Sequence, residues 1–197
     1  MGPILFYNNI RRGLLSNPQK HMEDFFMKDK HVRLLCFSAM FAALILVCTM
    51  FIKLPVPATT EYIHIGDGVL YLAAALLPLP YAIAASAIGA ALADVLASYA
   101  VWAPFTFVIK TIMALCIGKM CRPDSGRGRL ALAALAAGAV NVALYFVSSA
   151  ILYGLGGAAA GVPFNLLQSA VAAVLFVVLL PPVRKALSGL LPRGDDK

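Results

Sequence analysis

The 197-residue chain is 61% hydrophobic and only 13% charged, with a net charge of +7 and a mean hydropathy of +0.86. Ordinary soluble domains are about 45–50% apolar and about 25% charged. The excess excludes a typical soluble enzyme, a disordered tail and a collagen-like chain, and leaves an integral membrane protein.

In chain order, residues 1–30 are mixed and polar and read as a cytoplasmic tail; they lack the short apolar core and cleavage site of a secretory signal. A bilayer core of about 30 Å needs about 20 apolar residues per helix, and six such spans follow. The first covers 31–53 and stops where Pro55 and Pro57 forbid continuation. The second, 65–77, is short, and Pro78-Leu79-Pro80 reverses the chain into the third, 81–99. Pro104 opens the fourth, 104–120, at a position where a missing N–H costs nothing. The fifth covers 130–153, the glycine-rich stretch 154–161 reads as a flexible loop, and Pro163 opens the sixth, 163–181, which Pro181-Pro182 closes. Residues 189–197 form a second tail. The predicted architecture is an all-α polytopic membrane protein: a six-transmembrane-helix bundle over 31–188.

Lys and Arg counts orient membrane helices. An even number of spans puts both tails on one side. That side collects Arg11, Arg12, Lys20, Lys28, Lys30, Arg33, Lys119, Arg122, Arg127, Arg129, Arg184, Lys185, Arg193 and Lys197, leaving only Lys53 opposite and Lys110 inside a span. Both termini are therefore expected in the cytoplasm. The same scatter of basic residues between apolar runs argues against nucleic acid, whose footprint needs them on one face with aromatics between. Cys36, Cys48, Cys116 and Cys121 form no CxxC pair and read as small apolar residues, with no metal or cofactor implied.

A charge inside a span costs at least about 2.5–3.5 kcal/mol, so each needs a partner or a purpose. Asp94 and Lys110 stand out. Asp94 lies roughly 20 Å up the third span and Lys110 roughly 9 Å down the fourth, at 1.5 Å per residue, so both fall in the outer third and an ion pair is expected. Such a pair either locks two helices together or touches a polar ligand. Asn165 and Gln168 share a face at i, i+3, and Asn141 and Tyr145 at i, i+4. Glu61, Tyr62 and His64 lie in the outer loop, Asp67 begins the second span, and Tyr99 and Trp102 cap the turn between the third and fourth. Interface anchoring for the aromatics, helix capping for Asn165 and solvation for His64 are the plainer readings. Together, Glu61, His64, Asp67, Asp94, Trp102, Lys110, Asn141, Tyr145, Asn165 and Gln168 suit a small polar heteroaromatic ligand entering from outside. Ala39 and Ala43 on the first span, and Ala85, Gly89 and Ala93 on the third, are spaced for close helix approach. There is no HExxH, GxSxG or P-loop, and no clustered nucleophile, so an enzyme is not expected.

The stretch Tyr62-Ile63-His64-Ile65-Gly66-Asp67-Gly68, the Pro78–Pro80 turn and Gly89-Ala90-Ala91-Leu92-Ala93-Asp94 resemble the S components of energy-coupling factor (ECF) vitamin transporters. Tyr99 through Thr106 with Lys110, and Pro163 through Gln168, extend the likeness over about 32–188. The nearest branch is the one assigned to hydroxymethylpyrimidine, thiamine or vitamin B6 compounds. The resemblance implies a cell-membrane protein that captures a vitamin at its outer face. It also implies docking through the first helix onto a transmembrane coupling subunit driven by two ATPases. The family's A-x-x-x-A motif falls on Ala39 and Ala43. The alternatives are an ion-coupled secondary transporter working through Asp94 and Lys110, and a membrane assembly partner with no ligand.

Overall fold

The computed structural model describes residues 18–51, 53–55, 62–122 and 124–191. Helix α1 (Pro18–Phe51) is followed by strands β1 (Lys53–Pro55) and β2 (Tyr62–His64). Then come α2 (Gly66–Leu76), α3 (Leu79–Leu96), α4 (Ala103–Met120) and the long element α5 (Arg127–Leu187). Four of these helices are long and apolar enough to cross a membrane: α1 from Lys30, α3, α4 and α5; α2 is a shorter apolar helix. The structure is thus that of a helical, polytopic membrane protein.

The prolines act largely as the sequence suggests. Pro80 and Pro104 occupy the first turns of α3 and α4, where their fixed φ suits a helix start. The chain departs from expectation in four places. First, α1 already runs at Pro18, through much of the stretch assigned to a polar tail; no glycine or further proline interrupts residues 19–30. Second, the residues flanking the outer loop are extended. β1 and β2 pair antiparallel, with Lys53 opposite His64, Leu54 opposite Ile63 and Pro55 opposite Tyr62.

Third, the glycine-rich stretch is helix rather than loop. The only non-helical backbone inside α5 is at Gly154, with φ 77° and ψ 175°, a conformation essentially reserved for glycine. A straight helix of 61 residues would reach about 90 Å, three bilayer cores. Instead α5 folds back at Gly154 into two limbs, 127–153 and 155–187. Gly138 meets Ser169 across them, at near-equal distances along the chain from the break. Fourth, Pro163, Pro181 and Pro182 lie inside the second limb. Prolines are tolerated within apolar helices where neighbours re-satisfy the freed backbone, so Pro181-Pro182 does not end the helix and Leu187 does.

The core is built of small residues on α3 and the first limb of α5, with larger ones between them. Ala82, Ala85, Ala90, Ala133 and Ala137 are buried beside Ile45, Leu70, Tyr71, Met113 and Phe176. Tyr71 and Phe176 meet edge to face at 5.7 Å. A β-carbon on Gly89 would lie 2.6 Å from the Ala42 carbonyl oxygen, so α1 and α3 touch backbone to backbone. The small face of α3 therefore packs inside the molecule. Ala39 and Ala43 point the other way and are exposed.

Candidate functional site

The β-hairpin marks one end of the bundle, where α1, α3 and the first limb of α5 finish and α2, α4 and the second limb begin. Helix α2 has only 11 residues and is about 16 Å long, half of a ~30 Å core. Its first turn lies level with Lys110, seven residues into α4, and so below the bundle's end. Asp67 sits in that turn, where the helix dipole favours a carboxylate, and is buried rather than solvated.

Lys110, two turns into α4, meets it: Nζ lies 2.7 Å from Asp67 Oδ1, with side-chain exposures of 0% and 2%. Nζ also donates to Asn141 Oδ1 at 3.1 Å, and the Tyr145 ring centroid is 5.1 Å away. Gln168 Nε2 donates to the other carboxylate oxygen, Oδ2, at 2.7 Å, while Gln168 Oε1 accepts the backbone N–H of His64 at 3.1 Å. Asn141 Nδ2 donates to Ser169 Oγ at 3.3 Å. One polar chain thus joins β2, α2, α4 and both limbs of α5. The low-dielectric surroundings make every unpaired member costly, and here each charge has its partners. Burial pulls the His64 imidazole down to about 4, with Asp67 opposing and Lys110 adding to that shift, so the ring is neutral at physiological pH.

Above this floor stands an aromatic wall. Trp102 packs against Phe105, Tyr145 and Tyr153 at 6.3, 5.8 and 5.9 Å. The Tyr145 hydroxyl and Thr106 Oγ1 share a hydrogen bond of 3.0 Å. Tyr145 therefore belongs to both layers. Trp102 is 4% exposed, and its buried indole N–H has no acceptor among the described residues.

The structure brings His64, Asp67, Lys110, Asn141, Gln168, Tyr145 and Trp102 together. It does not form the expected Asp94–Lys110 pair: the lysine is held by Asp67 instead, because α2 starts at the depth that Lys110 reaches. Asp94 is buried in the last turn of α3. Asn165 turns back on its own helix, donating to the Gly161 carbonyl at 3.2 Å. Glu61 lies outside the described residues. A cavity of about 780 Å³ lies between the limbs of α5, walled by apolar residues such as Gly138, Val142, Phe146 and Leu166, with Ser169 at its edge. One of about 360 Å³ lies against Leu135 and Val174. Neither reaches Asp67 or Lys110. Sequence reasoning left out Ser169 and Tyr153, although each adjoins a signal it used, Gln168 and Gly154.

The family described as "ECF-type riboflavin transporter, S component" matches residues 30–185. The chain belongs to the ECF S-component family. It is therefore a membrane transport protein of vitamin uptake, in a family of substrate-binding subunits and not of enzymes. S components bind small vitamins and work with a membrane coupling subunit and ATPases. A relative from Pyrococcus woesei, described as an uncharacterized protein in the gap 3′ region, is 37% identical over 114 residues, covering 58% of this chain and 76% of its own. The family match leaves out residues 1–29, and β1, β2, the aromatic wall and the polar floor all fall inside it.

Proposed function

We propose that this S component captures a flat heteroaromatic vitamin or vitamin precursor at the hairpin end. That end faces outward, and the chain delivers its ligand through a coupling subunit and two ATPases in the cell membrane. The observation that carries the reading is the Trp102 N–H. A buried donor with no acceptor costs about 1–3 kcal/mol, and a ligand acceptor stacked against the Trp102–Tyr145–Tyr153 wall would relieve it.

In this reading the two limbs of α5 count as separate crossings. With α1 to α4 they make six, and both termini lie in the cytoplasm. The basic residues support that orientation: Lys119, Arg122, Arg127, Arg129, Arg184 and Lys185 all lie at the end away from the hairpin. The matching family's description names riboflavin, whereas the motif resemblance points to hydroxymethylpyrimidine, thiamine or vitamin B6 compounds. All are flat nitrogen heterocycles with ring acceptors, which suits an aromatic wall. The exposed Ala39 and Ala43 form a smooth face on α1 for the coupling subunit, since small residues allow close approach in lipid.

Reconstitution in liposomes tests the reading. Uptake of radiolabelled vitamin should require the coupling subunit, both ATPases and internal ATP. Uptake by the chain alone, driven by a proton or sodium gradient, would instead favour an ion-coupled secondary transporter.

A further inference from the structure

Gln168 occupies a position that few side chains can fill. On one side it meets the His64 backbone N–H, which can only donate; on the other it meets the Asp67 carboxylate, which can only accept. The residue between them must offer an acceptor at one end and a donor at the other. A carboxamide does so. Glutamate offers two acceptors, lysine only donors, and leucine neither. Both polar ends of Gln168 are thereby used, and the residue is 3% exposed.

We propose that Gln168 is a positioning residue that touches no ligand but latches strand β2 to the buried Asp67–Lys110 pair. The anchor beneath it is firm, because Lys110 is held in turn by Asn141, and Asn141 by Ser169 on the same helix limb as Gln168. The latch sets the height of His64 over the ion pair and, through the β1–β2 ladder, that of the hairpin. Its consequence for affinity rests on the capture reading above; its existence does not.

The experiment is amide hydrogen exchange on the purified full chain in detergent, read by mass spectrometry over residues 62–66. Binding of riboflavin, thiamine and pyridoxine is measured on the same samples. Gln168→Leu leaves the His64 N–H and one Asp67 oxygen bare, and should speed exchange there about ten- to a hundredfold. Gln168→Glu should do the same by setting two carboxylates face to face. Asp67→Asn combined with Gln168→Glu reverses donor and acceptor at that contact. It keeps one negative charge in the polar chain and one acceptor for His64, so it should bring exchange back to within a few-fold of the parent.

For whichever vitamin binds, affinity should fall and recover in the same order, through the dissociation rate. A purely space-filling role would not be rescued by the exchanged pair. Unchanged exchange in Gln168→Leu, or no recovery in the double variant, overturns the latch. Should Gln168→Leu fail to fold, Gln168→Glu against the double variant decides alone. A chain that binds none of the three vitamins yet shows the exchange pattern counts against capture and leaves the latch standing. Binding with unaltered exchange in Gln168→Leu overturns the latch only.

Discussion

A lysine ammonium withdrawn from solvent, as Lys110 is, persists only where neighbours replace its hydration. Asp67, Asn141 and the face of Tyr145 do so. Removing one member of a buried pair strands the other, at about 3–5 kcal/mol. Lys110→Met should therefore lower thermal stability in detergent by about that much. Asp67→Asn added to it should recover more than half, because no charge is then left unpaired. A double variant no more stable than Lys110→Met would mean that the ion pair is not what holds these helices. His64 supplies a pH dependence. Its ring is held down at about 4 against an ordinary 6.5, so the unfolded chain binds the proton more readily between those values. Stability is full above about 6.5 and declines as pH falls towards 4. His64→Gln should flatten that slope in melting curves; an identical slope would remove His64 from the account. Residue types at this site were legible in the sequence: every member of the polar chain except Ser169 is singled out there. Their pairing was not, because it depends on how deep α2 begins, and sequence periodicity carries no depth.

Helices pack here through two kinds of glycine, and the distinction is testable. A β-carbon at Gly154 would meet open space, but the backbone there has φ 77°. At Gly89 the backbone is ordinary helix, but a β-carbon would press to 2.6 Å on the Ala42 carbonyl oxygen. Gly154→Ala should cost about 1–3 kcal/mol through the backbone alone. Gly89→Ala should cost stability by prising α1 from α3, and cysteine cross-linking between those two helices should weaken only in this variant. Equal cross-linking in both would show that the α1–α3 contact has slack. The positions of helices α2, α3 and α4 and the Pro78–Pro80 reversal could be read from apolar run length and proline alone. The stretch 154–161 could not, since glycine and alanine in water suggest a loop, whereas an apolar surrounding rewards the internally bonded helix. Pro163 misled for the same reason. The two short strands carry too little alternation to be seen from three residues each.

At the scale of the whole molecule, one end holds the hairpin, the aromatic wall and the polar floor, and the other collects the basic loops. That polarity suits a subunit that takes its ligand on one side and leaves the energy-yielding chemistry to its partners. Ala39→Trp and Ala43→Trp place bulk on the exposed face of α1 without touching the site. Each should abolish ATP-driven uptake in the reconstituted complex while leaving vitamin affinity unchanged; full uptake would move the docking face elsewhere.

On the proposed reading, the chain alone binds a flat vitamin against Trp102. Trp102 is its one tryptophan, so intrinsic fluorescence reports on that wall without ambiguity. Titrating the purified chain with riboflavin, thiamine, hydroxymethylpyrimidine and pyridoxine should give a saturable change at one ligand per chain for at least one of them. A folded sample that responds to none of the four would contradict the account.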